Sequence, residues 1–153
     1  MTIKSFTLSL LAFVFIGLSA QAQKNFTLEA DGAFGNYSFF QAIELYKKAY
    51  SKEKSTAEKK RILYQIGRSY YELQDNTNAA SWLKKSVLAG HDDPEAQYYL
   101  ADAIRKQGKF DEALIEFEKF KTLKPSDPRG ATGIKSCQLA QEWKDNPTRY
   151  LVE

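Results

Sequence analysis

A chain of 153 residues with 43% hydrophobic and 27% charged residues is long enough for one domain with a packed core, and this composition excludes a wholly disordered protein. The formal charge of +3, from 22 Lys and Arg against 19 Asp and Glu, is too small to argue for a nucleic-acid partner, and the basic residues are interleaved with acids. The single cysteine, Cys137, excludes an internal disulfide, so stability must come from packing in any redox compartment.

In chain order, the first element reads as a secretory signal peptide over residues 1–22. Met1-Thr-Ile-Lys4 gives a positive start, Phe6 to Leu18 an apolar run, and Ala20-Gln21-Ala22 an A-x-A cleavage site, so the mature chain is expected to begin near Gln23. The run is short for a membrane span and no second one follows it, so no transmembrane segment is expected in the mature chain. A bacterial lipoprotein would carry a cysteine just after the run, whereas Cys137 lies far downstream. With no histidine or basic cluster beside it, Cys137 reads as a buried small hydrophobe.

Seven helices are expected in the mature chain. The first, roughly Phe26 to Phe34, contains Gly32, which costs about 1 kcal/mol in a helix interior. The second carries Ala42, Tyr46 and Ala49, and the polar stretch Ser51 to Lys59 reads as a linker. Two segments then lie over each other, Lys60 to His91 and Pro94 to Pro125. Gly67 falls on Ala101 (101 − 67 = 34), and Tyr70 on Ile104, Ala79 on Ala113 and Leu83 on Phe117 share that offset. The upstream half-match is displaced by 79 − 42 = 37, with the extra residues assigned to the linker.

Each segment reads as helix, turn, helix. Gly108-Lys109 makes the turn in the later one, where glycine takes the left-handed conformation that closes a helix, and Asp75-Asn76 is expected to do the same in the earlier. Pro94 and Pro125 are expected to end the outgoing helices. After Pro125 a last helix runs to about Lys144, with Ile134, Cys137, Ala140 or Gln141 and Trp143 as its inward residues, and residues 145–153 form a C-terminal extension.

The lines Leu63-Tyr-Gln-Ile-Gly67-Arg-Ser-Tyr70 with Ala79-Ala-Ser-Trp-Leu83, and Leu100-Ala101-Asp-Ala-Ile104 with Gly108-Lys-Phe-Asp-Glu-Ala113-Leu-Ile-Glu-Phe117, carry a period of about 34 residues. That pattern resembles the tetratricopeptide repeat. The resemblance implies an all-α fold over residues 23–144: an antiparallel solenoid of about three units, closed by a capping helix over the apolar face that stacking leaves open. Small residues on facing helices, Gly67 with Ala79 and Ala101 with Ala113, mark where helix axes cross closely.

Enzymatic machinery is not evident, since the mature chain has one histidine, one cysteine and neither a glycine-rich phosphate loop nor a nucleophile elbow. No cofactor and no small-molecule substrate are expected. His91-Asp-Asp-Pro-Glu95 invites a metal-site reading; an inter-repeat loop in which Asp93 caps the next helix at Pro94 fits better, because no second ligand cluster exists.

The resemblance implies that the first helix of each unit lines a concave groove. Its candidate partner-binding residues are Tyr64, Gln65, Arg68, Tyr71 and Glu72 in one unit and Tyr98, Tyr99, Asp102, Arg105 and Lys106 in the next. Tyrosine and arginine are enriched at interface hot spots, so this groove suits an extended or helical peptide of a protein partner. The alternative is that several of these tyrosines pack between repeats with buried rings and wet hydroxyls, as expected more strongly for Tyr70. Members of the family that grip a C-terminal carboxylate use Lys, Asn and Arg at positions that here read Thr27, Asp31, Gln65, Glu95 and Tyr99, so that clamp is absent.

A narrower resemblance rests on the order of repeats, Asp127-Pro128-Arg129, Cys137, Trp143 and Asn146-Pro-Thr-Arg-Tyr150. This looks like the N-terminal segment of OmpA-family outer-membrane proteins of Bacteroidetes, one of which belongs to the type IX secretion machinery. It implies an exported scaffold in the periplasm or at the periplasmic face of the outer membrane. Peptidoglycan binding belongs to later domains of those proteins, and nothing in these residues supplies it. Two expectations follow: a non-enzymatic adaptor using the concave face, or a structural envelope subunit associating through Arg149-Tyr-Leu-Val-Glu153.

Overall fold

The computed structural model describes residues 26–145; the expected signal peptide and the extension from 146 onward lie outside the described residues. Among the described residues there are seven helices and no strand: α1 (26–35), α2 (Phe39–Lys52), α3 (Thr56–Glu72), α4 (Asn76–Leu88), α5 (Glu95–Lys106), α6 (Phe110–Leu123) and α7 (Pro128–Asp145). No helix among them is long and apolar enough to cross a membrane. Consecutive helices pack as neighbours, α2 on α3, α3 on α4 and so on to α6 on α7.

Apolar residues at helical spacing build two contiguous cores. The first joins Ala30 and Ala33 of α1 to Ala42, Tyr46 and Ala49 of α2 and to Ile62 and Ile66 of α3. The second joins Ala79 and Leu83 of α4, Leu100, Ala101 and Ile104 of α5, Ala113 and Phe117 of α6, and Cys137 of α7. Tyr70 packs against both and accepts a hydrogen bond from Lys47 through its hydroxyl, so it is the bridge between them. Gly32 is exposed with open space where a side chain would sit, so it creates no packing defect in α1.

The small residues mark close approach, as their spacing predicts. A Cβ on Gly67 would stand 2.7 Å from Leu83 Cγ and 2.9 Å from the Leu83 backbone nitrogen, closer than side chains approach one another. Ala79, Ala101 and Ala113 are fully buried at the corresponding crossings.

Three turns share one geometry. Tyr37, Gln74 and Gly108 take φ of 61°, 60° and 76°, at offsets of 74 − 37 = 37 and 108 − 74 = 34, the offsets of the repeat. The next residue in each turn donates its N–H back to a carbonyl five residues earlier: Ser38 to Ala33, Asp75 to Tyr70 and Lys109 to Ile104. This pairing satisfies carbonyls that a helix end leaves open. The expected left-handed pair Asp75-Asn76 is thus displaced by one residue. Gln74 takes the left-handed conformation, and Asp75 caps α4 by accepting the Asn78 N–H at 3.1 Å.

A left-handed conformation costs a residue with a Cβ about 1–2 kcal/mol, offset in part by the entropy glycine loses on folding. Gln74→Gly is accordingly expected to raise stability by about 0.5–1 kcal/mol, and Gly108→Ala to lower it by a similar amount. Urea unfolding midpoints of the two variants should move in opposite directions.

Two boundary expectations are corrected. Pro94 does not end α4, which stops at Leu88 and is closed by Gly90 (φ 75°) with the His91 N–H bonded to the Ser86 carbonyl; Pro94 stands instead at the start of α5. Pro125 does follow the end of α6 at Leu123. Nor is 51–59 a linker, because α2 continues to Lys52 and α3 starts at Thr56. Ser55 caps α3 by accepting the Glu58 N–H at 3.3 Å, and the Ala, Glu and Lys that follow are strong helix formers. The extra residues lengthen α3 to 17 residues against 12 in α5.

The capping helix is placed as expected but faces inward differently. Gly130, Gly133 and Cys137 are its buried residues, with Ile134, Ala140 and Gln141 half-buried. Trp143 is 54% exposed and does not point into the core. Glycines let α7 lie directly on α6: a Cβ on Gly130 would stand 3.0 Å from Lys121 Cβ, and one on Gly133 would enter the ring of Phe117. Burial raises the pKa of the Cys137 thiol, so it stays protonated and serves as an apolar packing group.

Candidate partner-binding groove

The first helices of successive units touch one another, α3 against α5 and α5 against α7, with no comparable contact among α2, α4 and α6 in the described residues. The solenoid therefore curves with α3, α5 and α7 on its inner side. Ten candidate residues lie on α3 and α5, and the structure brings most of them into one network.

Its centre is Asp102, whose carboxylate is nearly buried with 7% of the side chain exposed. Tyr71 donates its hydroxyl to Asp102 Oδ2 at 2.6 Å, and Lys106 Nζ donates to that hydroxyl at 2.8 Å while standing 3.3 Å from the carboxylate. Arg105 donates from Nε and Nη2 to Asp102 Oδ1 at 2.9 and 2.7 Å. Burial pushes the pKa of Asp102 upward, but the hydrogen bonds from Tyr71 and Arg105 and the charges of Arg105 and Lys106 outweigh it, so the net shift is downward. Tyr71 is shifted the opposite way, upward, by burial and by its bond to Asp102.

Around this centre the aromatic rings interlock. Tyr99 meets Tyr71 and Tyr98 edge to face, at 5.0 and 5.2 Å between centroids. The Arg68 guanidinium lies 3.5 Å from the centroid of the Tyr99 ring and pairs with Glu72 at 2.6 Å. Its buried Nη1 has no hydrogen-bond partner among the described residues. Tyr98 packs on Phe117 and Phe120 and carries the Arg129 guanidinium 4.3 Å from its ring centroid. The rings of Tyr71, Tyr98 and Tyr99 thus pack between repeats, and the Tyr71 hydroxyl joins the charged network.

Tyr64 and Gln65 stand apart. Tyr64 stacks on His91 at 4.9 Å, where burial raises the tyrosine pKa and lowers that of the histidine. Gln65 is half-buried, and its backbone carbonyl accepts the Ser69 hydroxyl within α3, away from the charged network. His91 is thus a packing residue, Asp93 accepts the Glu95 N–H at 3.0 Å as a cap, and no group of three or more metal-ligating residues occurs among the described residues.

Arg129 is the groove residue whose role sequence reasoning missed. Its guanidinium bonds Glu95 (Nη1 to Oε2, 2.9 Å) and Asp127 (Nη2 to Oδ2, 2.8 Å), tying α7 to α5. The bond from Arg129 lowers the Glu95 pKa against the opposing effect of burial. A signal existed: Glu95 and Arg129 are 129 − 95 = 34 residues apart, so they occupy equivalent positions on adjacent inner helices with opposite charge. Between α5 and α7 lies a cleft of about 270 Å³, walled by Tyr98, Asp102, Arg105, Phe117, Arg129, Thr132 and Ser136.

The positions of a carboxylate clamp are otherwise engaged. Asp31 accepts from the Tyr46 hydroxyl and from Arg61 at 3.0 and 3.1 Å, and Glu95 is held by Arg129.

Residues 64–128 match the tetratricopeptide repeat family. No curated protein matches the sequence. Solved structures share the fold. The second tetratricopeptide domain of human RPAP3, in complex with an HSP70 peptide, is 20% identical with a TM-score of 0.65, over 80% of this chain and 97% of that one. The first such domain of Spaghetti (RPAP3), bound to an HSP90 peptide, is 16% identical with a TM-score of 0.70, over 80% and 94%. The tetratricopeptide domain of Arabidopsis OM64 is 16% identical with a TM-score of 0.67, over 78% and 96%.

Proposed function

We propose that this chain, built on the tetratricopeptide-repeat fold, is a non-enzymatic scaffold that holds a segment of a partner protein in the groove lined by α3, α5 and α7. The observation that carries the reading is the half-buried aromatic and charged surface of Arg68, Tyr71, Tyr98, Tyr99 and Arg105 beside an open cleft. Rigid rings held by an ion network lose little freedom when a ligand arrives. Peptides bound by structures of the same fold support it.

The export signal read in residues 1–22 supports action in the periplasm or at the periplasmic face of the outer membrane. The order of Asp127-Pro128-Arg129, Cys137 and Trp143 after the repeats supports kinship with the N-terminal segment of OmpA-family proteins, with envelope assembly or secretion as the setting.

Alanine at Tyr71, Tyr98 and Arg105 would be a poor test, because Tyr71 and Tyr98 also hold α5 to α3 and α6 and Arg105 pairs the nearly buried Asp102. Ser136→Trp is cleaner, since it fills the cleft from α7. Envelope extract passed over immobilised residues 23–153 should yield a partner that Ser136→Trp retains at least about tenfold less. Equal retention by both proteins would refute the groove reading.

A further inference from the structure

The geometry points to a ligand class, on the premise that the groove is the binding surface: the α5–α7 cleft accepts a carboxylate side chain of an acidic partner segment. Asp102 is one carboxylate matched by two cations, so the pairings around it leave one positive charge in excess. The acid lies beneath and the cations above it: 7% of the Asp102 side chain is exposed, against 31% for Arg105 and 27% for Lys106. At the other wall the charges balance, Arg129 and Lys124 against Glu95 and Asp127, and again the cations are the more exposed, 37% and 41% against 22% and 16%. Arg105 and Arg129 line the cleft with Asp102, two cations to one carboxylate, while Lys106 lies over Tyr71 on the α3 side, so an incoming group meets guanidinium before it meets carboxylate.

Arg105 uses Nε and Nη2 on Asp102, so the rest of its guanidinium donors are available to a second acceptor. Thr132 and Ser136 bring hydroxyls to the opposite wall, one helical turn apart on α7. A carboxylate seated between Arg105 and these hydroxyls would accept charge-assisted bonds, while its aliphatic stem lies on Tyr98 and Phe117. The site is distinct from a clamp for a chain terminus, because it sits between the third unit and the capping helix and uses none of Thr27, Asp31, Gln65 or Tyr99.

The test is fluorescence anisotropy of a labelled octaglutamate peptide on residues 23–153, beside octalysine and a neutral Gly-Ser-Gln octamer. Octaglutamate should bind at least about tenfold tighter than either control, and more weakly as salt is raised. Thr132→Glu places a carboxylate in the cleft from an exposed helical position and should reduce that binding about tenfold with an unchanged or higher unfolding midpoint. Octaglutamate binding no tighter than the controls, or binding indifferent to Thr132→Glu, would overturn the acidic-ligand assignment. If a partner is still captured and Ser136→Trp releases it, the groove reading stands while this assignment falls.

Discussion

Gly133→Val is expected to destabilise the protein by about 3 kcal/mol, with Gly133→Ala intermediate, because either side chain must enter space filled by the ring of Phe117. Phe117 is 1% exposed and sits in the second core beside Leu100, Ala113 and Cys137, so its ring has nowhere to move. Helix propensity works the other way, by about 1 kcal/mol in favour of alanine, and is too small to rescue the variant. Gly32→Ala is the matched control: a Cβ added there would meet nothing within 4 Å, so it should gain up to about 1 kcal/mol. Urea unfolding of the three variants separates overpacking from propensity. Equal shifts at positions 32 and 133 would show that α7 does not rest on α6 as described. If α7 lifts, the α5–α7 cleft opens with it, and partner capture should fall together with stability.

The repeat is legible in the sequence because it rests on side-chain size at fixed spacing. Ala101, Ala113, Gly67 and Leu83 occupy the crossings that their 34-residue offset implies. Helix ends are less legible, because backbone conformation is only weakly encoded by residue type. Gln74 and Tyr37 take the left-handed geometry that the repeat demands although neither is glycine, and only superposition on Gly108 identifies them. The polar run 51–59 reads as a loop by charge and folds mostly as helix by propensity and capping. On α7 side-chain size is a false guide to burial: the tryptophan is exposed, and two glycines are buried because they admit the neighbouring helix. In the groove, Tyr71, Asp102 and Arg105 follow from their positions on the inner helices. Arg129 does not, since its partner Glu95 lies at the start of another helix and the pair emerges only when charge is compared across one period.

Removing the Asp102 charge should cost more than removing any other charge in the groove. Asp102→Asn keeps the shape but leaves Arg105, Lys106 and the Tyr71 hydroxyl around a neutral amide. Breaking a fully buried pair costs about 3–5 kcal/mol; here the two cations are about a third exposed and recover some hydration, so about 2–3 kcal/mol is expected. The pH dependence has a definite sign. The folded-state pKa of Asp102 is lowered below the ordinary aspartate value of about 3.9, so its contribution is fully present above about pH 4 and is lost as pH falls through the lowered value. Glu95 is shifted in the same direction by Arg129 and adds to the acid limb. Urea unfolding from about pH 6 to about pH 2 should therefore show the parent losing stability faster than Asp102→Asn, with the two curves converging at the acid end. Parallel curves would mean that Asp102 titrates alike in the folded and unfolded chains, and the network would then be no anchor for the groove. Convergence would establish that the charge beneath Arg105 and Lys106 holds both cations in place before a partner arrives, which is the preorganisation that a binding surface with few mobile side chains requires.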